Sequence, residues 1–154
     1  MFFQPTDNGV EFRIWSREVR NLCNAIITAD ILHLQGGYDQ TEWASQIGPQ
    51  ILSYYEDYFN TSFPLPKQDM IAIPDFSAGA MENWGLITYR EVAILYEEGK
   101  SSRSDKEYVA IVVAHELAHQ VQTYFPFEKE YLVLIFTVVR RPCHHGVVDR
   151  LVAQ

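Results

Sequence analysis

Two histidines four residues apart, with a glutamate directly after the first, are the residues best placed to do chemistry. They are His115, Glu116 and His119. On a helix, positions i and i+4 lie on one face, so both imidazoles can reach one metal ion. This spacing is typical of zinc sites in which the glutamate acts as general base toward a water molecule. It therefore predicts Zn²⁺ as cofactor, His115 and His119 as metal ligands, and Glu116 as the catalytic residue.

The alternative interpretation is a buried helix that happens to carry two core histidines and a glutamate. A buried carboxylate without a partner is costly, which makes this interpretation of Glu116 unattractive. A catalytic zinc site also needs a third protein ligand. Spacing does not identify one, although six side chains near the C-terminus are chemically capable: Glu128, Glu130, Cys143, His144, His145 and Asp149.

The second feature is Glu82, which lies between Gly79 and Gly85. A carboxylate flanked by glycines can sit where the backbone approaches a ligand closely, and it would then anchor a cationic group of a substrate. The alternative is a surface turn with a solvated glutamate. From Glu82 alone, the surface turn is favoured.

A helix must carry the histidine pair. Ser104 and Glu107 fit a capping box, with Ser104 as N-cap and Glu107 at the third helical position. The β-branched run 111–113 would by itself indicate a strand. Because the cap outweighs this run, we predict a buried helix from Asp105 to about Gln122.

Alternating or continuous apolar runs predict the strands that support this helix. Residues 41–59 instead place apolar side chains at helical spacing, with Pro49 as a point where the helix kinks or divides. The predicted strands are residues 10–15, 70–73, 86–89 and 92–96.

Composition limits the function classes. The chain has 154 residues, 47% of them apolar, which is enough for the core of one domain. Its formal net charge of −8 argues against nucleic acid as a partner. The first residues lack the pattern of a signal peptide, and the longest apolar run, 131–139, is shorter than the roughly 20 residues needed to cross a bilayer. We therefore expect no membrane anchor in this chain.

Taken together, residues 79–83 (Gly-Ala-Met-Glu-Asn) and 115–119 (His-Glu-Leu-Ala-His) resemble the aminopeptidase N-like zinc metallopeptidases of the gluzincin group. The resemblance extends over about residues 42–120. It implies an α/β fold with a thermolysin-like catalytic domain, in which a mixed sheet supports the zinc-motif helix. It also implies peptide substrates with a free N-terminus, whose α-ammonium group is held by Glu82 while Gly79 and Ala80 line the cleft.

The resemblance further implies three parts of the chain. Residues 1–34 would be the end of a preceding β-rich domain and a linker, residues 35–122 the N-terminal part of the catalytic domain, and residues 123–154 a divergent tail. The family's third zinc ligand is a glutamate in a second helix, and its position here is Val138.

We therefore expect a zinc-dependent aminopeptidase that releases N-terminal residues from peptides, in a truncated or inactive form. The alternative is a non-catalytic variant that acts by binding or by interfering with a full-length relative. An endopeptidase that uses the same helix is disfavoured by Glu82. The resemblance leaves the compartment open, since the family includes membrane-anchored extracellular members and cytosolic ones.

Overall fold

The computed structural model describes residues 2–16 and 37–124. Its strands are β1 (Phe2–Pro5), β2 (Glu11–Trp15), β3 (Lys67–Ile73), β4 (Ala80–Met81) and β5 (Leu86–Arg90). Its helices are α1 (Gly37–Gln40), α2 (Glu42–Phe59) and α3 (Arg103–Tyr124), with a 3₁₀ turn at Glu91–Ala93 between β5 and α3.

The five strands form one mixed sheet in the order β1-β2-β3-β5-β4. The central strands β2, β3 and β5 run parallel, and the outer strands β1 and β4 pair antiparallel with their neighbours. The predicted mixed α/β architecture is therefore confirmed.

One face of the sheet forms the core with α2 and α3. Ile14, Met70 and Ile87 are neighbours in the register of the three parallel strands, and all three are fully buried. The alternation that predicted β2 places Phe12 beside Ile14 on this same face, where the ring meets Gly48 of α2. The helices are joined at Tyr55, whose hydroxyl donates to the carbonyl of Ala114 at 3.0 Å.

Helix α2 is continuous through Pro49, so of the two alternatives at this proline, a kink or two pieces, the helix does not form two pieces. Its apolar side chains face the core. The helix ends at Phe59, and the next residue, Asn60, has a left-handed φ of 50°. A residue in this conformation turns the chain away from the helix axis toward β3.

Helix α3 extends slightly beyond both predicted ends, and the predicted N-cap is wrong. Ser102, rather than Ser104, caps the helix: its hydroxyl accepts from the backbone N–H of Asp105 at 3.2 Å. In return, the Asp105 carboxylate accepts from the backbone N–H and hydroxyl of Ser102, both at 2.8 Å. The reciprocal pair is a capping box shifted by two residues.

The predicted strand at residues 92–96 is also wrong. The chain forms the 3₁₀ turn there, while Ala93 and Ile94 are fully buried. A short apolar run indicates burial more securely than it indicates a strand, because buried turns can supply the same pattern.

The proposed three-part division of the chain is not decided by these elements. The first boundary, near residue 34, and most of the tail after residue 122 lie outside the described residues. Strand β2 does pair with β3 in the same sheet.

Among the described helices, none combines the length and the apolar character that a bilayer crossing requires.

Candidate functional site

The two motif histidines lie side by side on α3. Their Nε2 atoms are 3.0 Å apart, and the ring centroids are separated by 4.7 Å at a steep angle of 77°. Both side chains are half-buried, so they line a surface that solvent reaches. Two imidazoles bound to one tetrahedral zinc at about 2.0–2.1 Å place their nitrogens roughly 3.3 Å apart. The observed separation therefore fits a pair of nitrogens that bind one ion.

Glu116 points into the protein beside this pair. Its side chain is only 6% exposed, and its Oε2 atom has no hydrogen-bond partner in the described part of the chain. Burial raises the pKa of this carboxyl to about 7, and the negative charge of Glu82 raises it further in the same direction. A carboxyl with a pKa near neutrality can both accept and return a proton at physiological pH.

The same environment acts on two neighbours of Glu116. Burial lowers the pKa of His115, and the charge of His119 lowers it further. The negative charge of Glu82 acts in the opposite direction and raises the pKa, but the net shift is downward. Tyr89, on β5, is fully buried, and its hydroxyl has no partner among the described residues. Burial raises the pKa of Tyr89 well above its usual value, with a smaller contribution from Glu116. The net shift of each group favours its neutral form.

Glu82 lies in the exposed segment after β4, and its charge is felt at His115 and Glu116. Gly79 is exposed and Ala80 half-buried. A Cβ added at Gly79 would meet only the hydroxyl of Tyr108, at 4.0 Å. The backbone here is thus open to solvent, on the same side of the molecule as a carboxylate that can attract a cation.

Gly85 ends this segment in a conformation that favours glycine, with φ of +73°. A Cβ at this position would lie 2.8 Å from a methyl carbon of Leu65. The turn after Glu82 therefore needs glycine for both its backbone angle and its packing.

Gln120, which immediately follows the second histidine, connects the two halves of the site. Its side chain is fully buried. Its Nε2 donates to the carbonyls of Glu82 at 2.8 Å and Asn83 at 3.2 Å, and its Oε1 accepts from the N–H of Gly85 at 2.9 Å. No sequence motif singled out this residue as part of the site. The available signal was its position, because Gln120 falls on the same inward helix face as the apolar Val113 and Leu117.

Arg90 fixes the chain that precedes β4, residues 76–79, and was also missed. Its guanidinium donates to the carbonyls of Phe76 at 2.7 Å and Ser77 at 2.6 Å, and its backbone N–H donates to the carbonyl of Gly79 at 2.9 Å. The chain that enters β4 is therefore tied to the end of β5.

The donor set fits zinc only in part. In residues 2–16 and 37–124, no group of three histidine, cysteine, aspartate or glutamate side chains is arranged to hold a metal ion. His115 and His119 supply two suitable nitrogens. Val138 and the six C-terminal candidates for a third ligand lie outside the described residues.

Comparison with known proteins agrees with the arrangement of motifs. Residues 43–122 match the family described as Peptidase family M1 domain, over more than half of the chain. The chain is 49% identical to Aminopeptidase N of Haemonchus contortus over 116 residues, which are 75% of this chain and 10% of that protein. It is 61% identical to Aminopeptidase M1-C of Oryza sativa subsp. japonica over 85 residues, or 55% of this chain and 10% of that one.

A third relative, Endoplasmic reticulum aminopeptidase 2 of Bos taurus, is 55% identical over 83 residues, which are 54% of this chain and 9% of that protein. The chain thus spans about a tenth of the length of these curated relatives. The family match, residues 43–122, covers both Glu82 and the histidine pair. The chain therefore belongs to peptidase family M1, among its aminopeptidase N-like members.

Proposed function

We propose that this chain carries the zinc-binding and amino-terminus-binding half of an aminopeptidase that removes N-terminal residues from peptides. The observation that carries the proposal is the pair of Nε2 atoms of His115 and His119, 3.0 Å apart beside the buried Glu116. The relatives that share the region are named aminopeptidases, which supports this class of peptidase. The mixed sheet beside α3 is consistent with a thermolysin-like domain over residues 35–122, with residues 1–34 and 123–154 as flanking parts.

In this proposal His115 and His119 hold the metal. A bound zinc ion would polarise the scissile carbonyl and make a water molecule more acidic. Glu116 would be the general base beside the histidine pair, the group that accepts a proton and returns it to the leaving amine. Its pKa of about 7 suits both transfers, because a carboxylate with an ordinary pKa is a weaker base and would accept the proton less readily.

Glu82 would bind the α-ammonium group of the substrate, with Gly79 and Ala80 along the peptide. An ion pair with the N-terminus places the first peptide bond at the metal and excludes longer N-terminal extensions. This geometry explains why such a site would release one residue at a time, and why blocking the amino group would prevent cleavage.

The zinc content of the purified 154-residue chain tests the metal site. We expect zinc to bind to the wild-type chain and to be lost in His119→Ala. Two ligands hold a metal less tightly than three, so we expect partial loss on extended dialysis and low turnover by this chain alone. Equal zinc content in the wild type and His119→Ala would contradict the site.

Substrate class is tested with aminoacyl amides and with the same compounds blocked at the amino group. The zinc-loaded chain should act only on the free amines, and Glu116→Gln should abolish turnover while zinc stays bound. Cleavage of blocked peptides alone would instead indicate an endopeptidase.

A second candidate is a non-catalytic variant that binds a full-length relative or its substrates. It is favoured by the lack of a three-donor group among the described residues. The two functions differ in one measurement, because the non-catalytic variant shows neither retained zinc nor turnover in these assays.

A further inference from the structure

We propose that Gln120 is a positioning residue that fixes the Glu82 loop, residues 82–85, to the zinc-motif helix, and thereby sets where the substrate's amino group binds relative to the metal. The inference rests on the proposed function of Glu82 and extends it to a residue with no contact to substrate or metal.

Gln120 uses both the nitrogen and the oxygen of its side-chain amide to hold the loop. A glutamine side chain has one amide nitrogen that donates and one carbonyl oxygen that accepts. In this structure the nitrogen serves the carbonyls of Glu82 and Asn83, and the oxygen serves the N–H of Gly85. Reversing the amide would set donor against donor at Gly85, so the partners fix its orientation.

These hydrogen bonds connect the zinc-motif helix directly to the backbone of Glu82. Gln120 lies directly after the ligand His119 on the same rigid helix, and one of its bonds goes to the carbonyl of Glu82 itself. The loop is held again where the N–H of Asp69 on β3 donates to the carbonyl of Gly85 at 3.0 Å. The backbone from which the Glu82 side chain projects is therefore fixed with respect to the histidine pair.

Loss of the Gln120 amide would remove three hydrogen bonds to the loop. Gln120 is fully buried, and a side chain without polar atoms would leave three backbone groups of the loop without this partner. Gly85 is buried in this exposed loop, and buried backbone groups in native proteins are almost always paired. A loop that loses them would move to find other partners, and Glu82 would move with it.

Three variants of the full 154-residue chain test the inference. Gln120→Met keeps the length of the side chain and removes all three bonds. Gln120→Glu keeps an acceptor for Gly85 but cannot donate to the two carbonyls. Gln50→Met is the matched control, since Gln50 is an exposed glutamine on α2 whose amide bonds only to the backbone of its own helix.

Hydrogen exchange of the loop amides is the first readout and does not depend on activity. We expect exchange in the segment that contains the N–H of Gly85 to accelerate at least tenfold in Gln120→Met and less in Gln120→Glu, with no change in Gln50→Met. Zinc content should equal that of the wild type in all three, because His115 and His119 are untouched. Unchanged exchange in both Gln120 variants would overturn the inference.

Affinity for leucinamide, a small ligand with a free amino group, is the second readout. We expect zinc-loaded Gln120→Met to bind it about tenfold more weakly, which corresponds to about 1.4 kcal/mol. In a Glu82→Gln background the Gln120→Met change should have no further effect, because the residue acts through Glu82. An equal loss in both backgrounds would show a general structural role and overturn the inference.

A separate measurement on the wild-type chain tests the proposed function of Glu82. If the wild-type chain binds leucinamide and N-acetylleucinamide equally well, Glu82 is not an amino-group anchor, and a role for Gln120 in substrate positioning falls with it. The exchange measurement still decides in that case whether Gln120 holds the loop to α3.

Discussion

At the scale of single residues, the site combines groups that are unfavourable in isolation. Glu116 has a buried oxygen without a hydrogen-bond partner in the described residues, and so has the hydroxyl of Tyr89. An unpaired buried polar atom costs stability, which ordinary core positions avoid. Functional sites carry such costs because the same isolation tunes the proton affinity of the group. We therefore expect the burial of Glu116 to lower the stability of the fold while it raises the pKa of the carboxyl.

The pH dependence of the free energy of unfolding of the metal-free chain tests this effect of Glu116 on stability. The folded-state pKa of Glu116, about 7, lies above its ordinary value of 4.5, so the folded chain prefers the protonated carboxyl. This preference stabilises the fold fully below pH 4.5 and is lost as the pH rises through 7. The shift corresponds to about 3.5 kcal/mol at most, at about 1.4 kcal/mol for each pH unit.

Glu116→Gln removes this titration and keeps the side-chain size. We expect the variant to be about 2–3 kcal/mol more stable than the wild type at pH 8 and similar at pH 5 in urea unfolding with a metal chelator present. The lowered pKa of His115 gives a trend of the opposite sign, but it is common to both proteins. Parallel stability profiles for the two proteins would contradict the assigned environment of Glu116.

The sequence predicted some of these residues better than others. The spacing of His115 and His119 was sufficient to predict that the two rings lie side by side, because helix geometry alone brings positions i and i+4 together. Their role as metal ligands stays a prediction. Glu82 needed the family resemblance, since nothing local separates it from a solvated turn residue. Gln120 was missed because helical periodicity marks an inward face but does not tell which loop carbonyls will meet it there.

At the scale of elements, the start of α3 shows how a sequence pattern can predict the correct type of helix cap at the wrong residues. Ser102 and Ser104 are each followed three residues later by an acidic residue, Asp105 or Glu107. Both therefore satisfy the sequence pattern of a capping box. The structure uses the earlier pair, and Glu107 instead pairs with Arg103 one turn back.

Two serine variants separate these caps. Ser102→Ala removes the acceptor for the N–H of Asp105 and should destabilise the chain by about 1 kcal/mol. Ser104→Ala should change stability by less than about 0.5 kcal/mol, because an exposed alanine within the first turn is a good helix former. Both are measured by urea unfolding. A larger loss from Ser104→Ala than from Ser102→Ala would restore the cap predicted from sequence.

The contact of α2 with β2 is the second test at this scale. A Cβ added to Gly48 would lie 2.5 Å from two ring carbons of Phe12, which is itself fully buried. Alanine favours a helix over glycine by about 1 kcal/mol, but the overpacked ring should cost more. We expect Gly48→Ala to lose about 1–2 kcal/mol net in thermal unfolding.

A matched substitution on the exposed side of the same helix, Gln50→Ala, should be neutral or slightly stabilising because it adds helix propensity without a new contact. If Gly48→Ala instead stabilised the chain, Phe12 would not lie against this part of α2.

At the scale of the whole molecule, local patterns predicted the strands but not their order. β2 pairs in parallel with β3, although more than fifty residues separate them, and β5 lies between β3 and β4. Such contacts are long-range, and no short pattern specifies the partner of a strand. The sequence could place Ile14, Met70 and Ile87 in the core separately, whereas their common row follows only from the pairing.

Zinc should stabilise the whole chain, because α3 carries both histidines and packs against α2, the 3₁₀ turn and β4. At free zinc one hundred times its dissociation constant, a ligand that binds only the folded state adds about 2.7 kcal/mol, or roughly 10 °C in Tm for a domain of this size. Thermal unfolding of the wild type with and without zinc measures this shift. His119→Ala is the matched control, because it removes one imidazole while His144, His145 and both cysteines remain. The shift should largely disappear in the variant; a shift of equal size would place the bound zinc elsewhere, since no other change distinguishes the two chains.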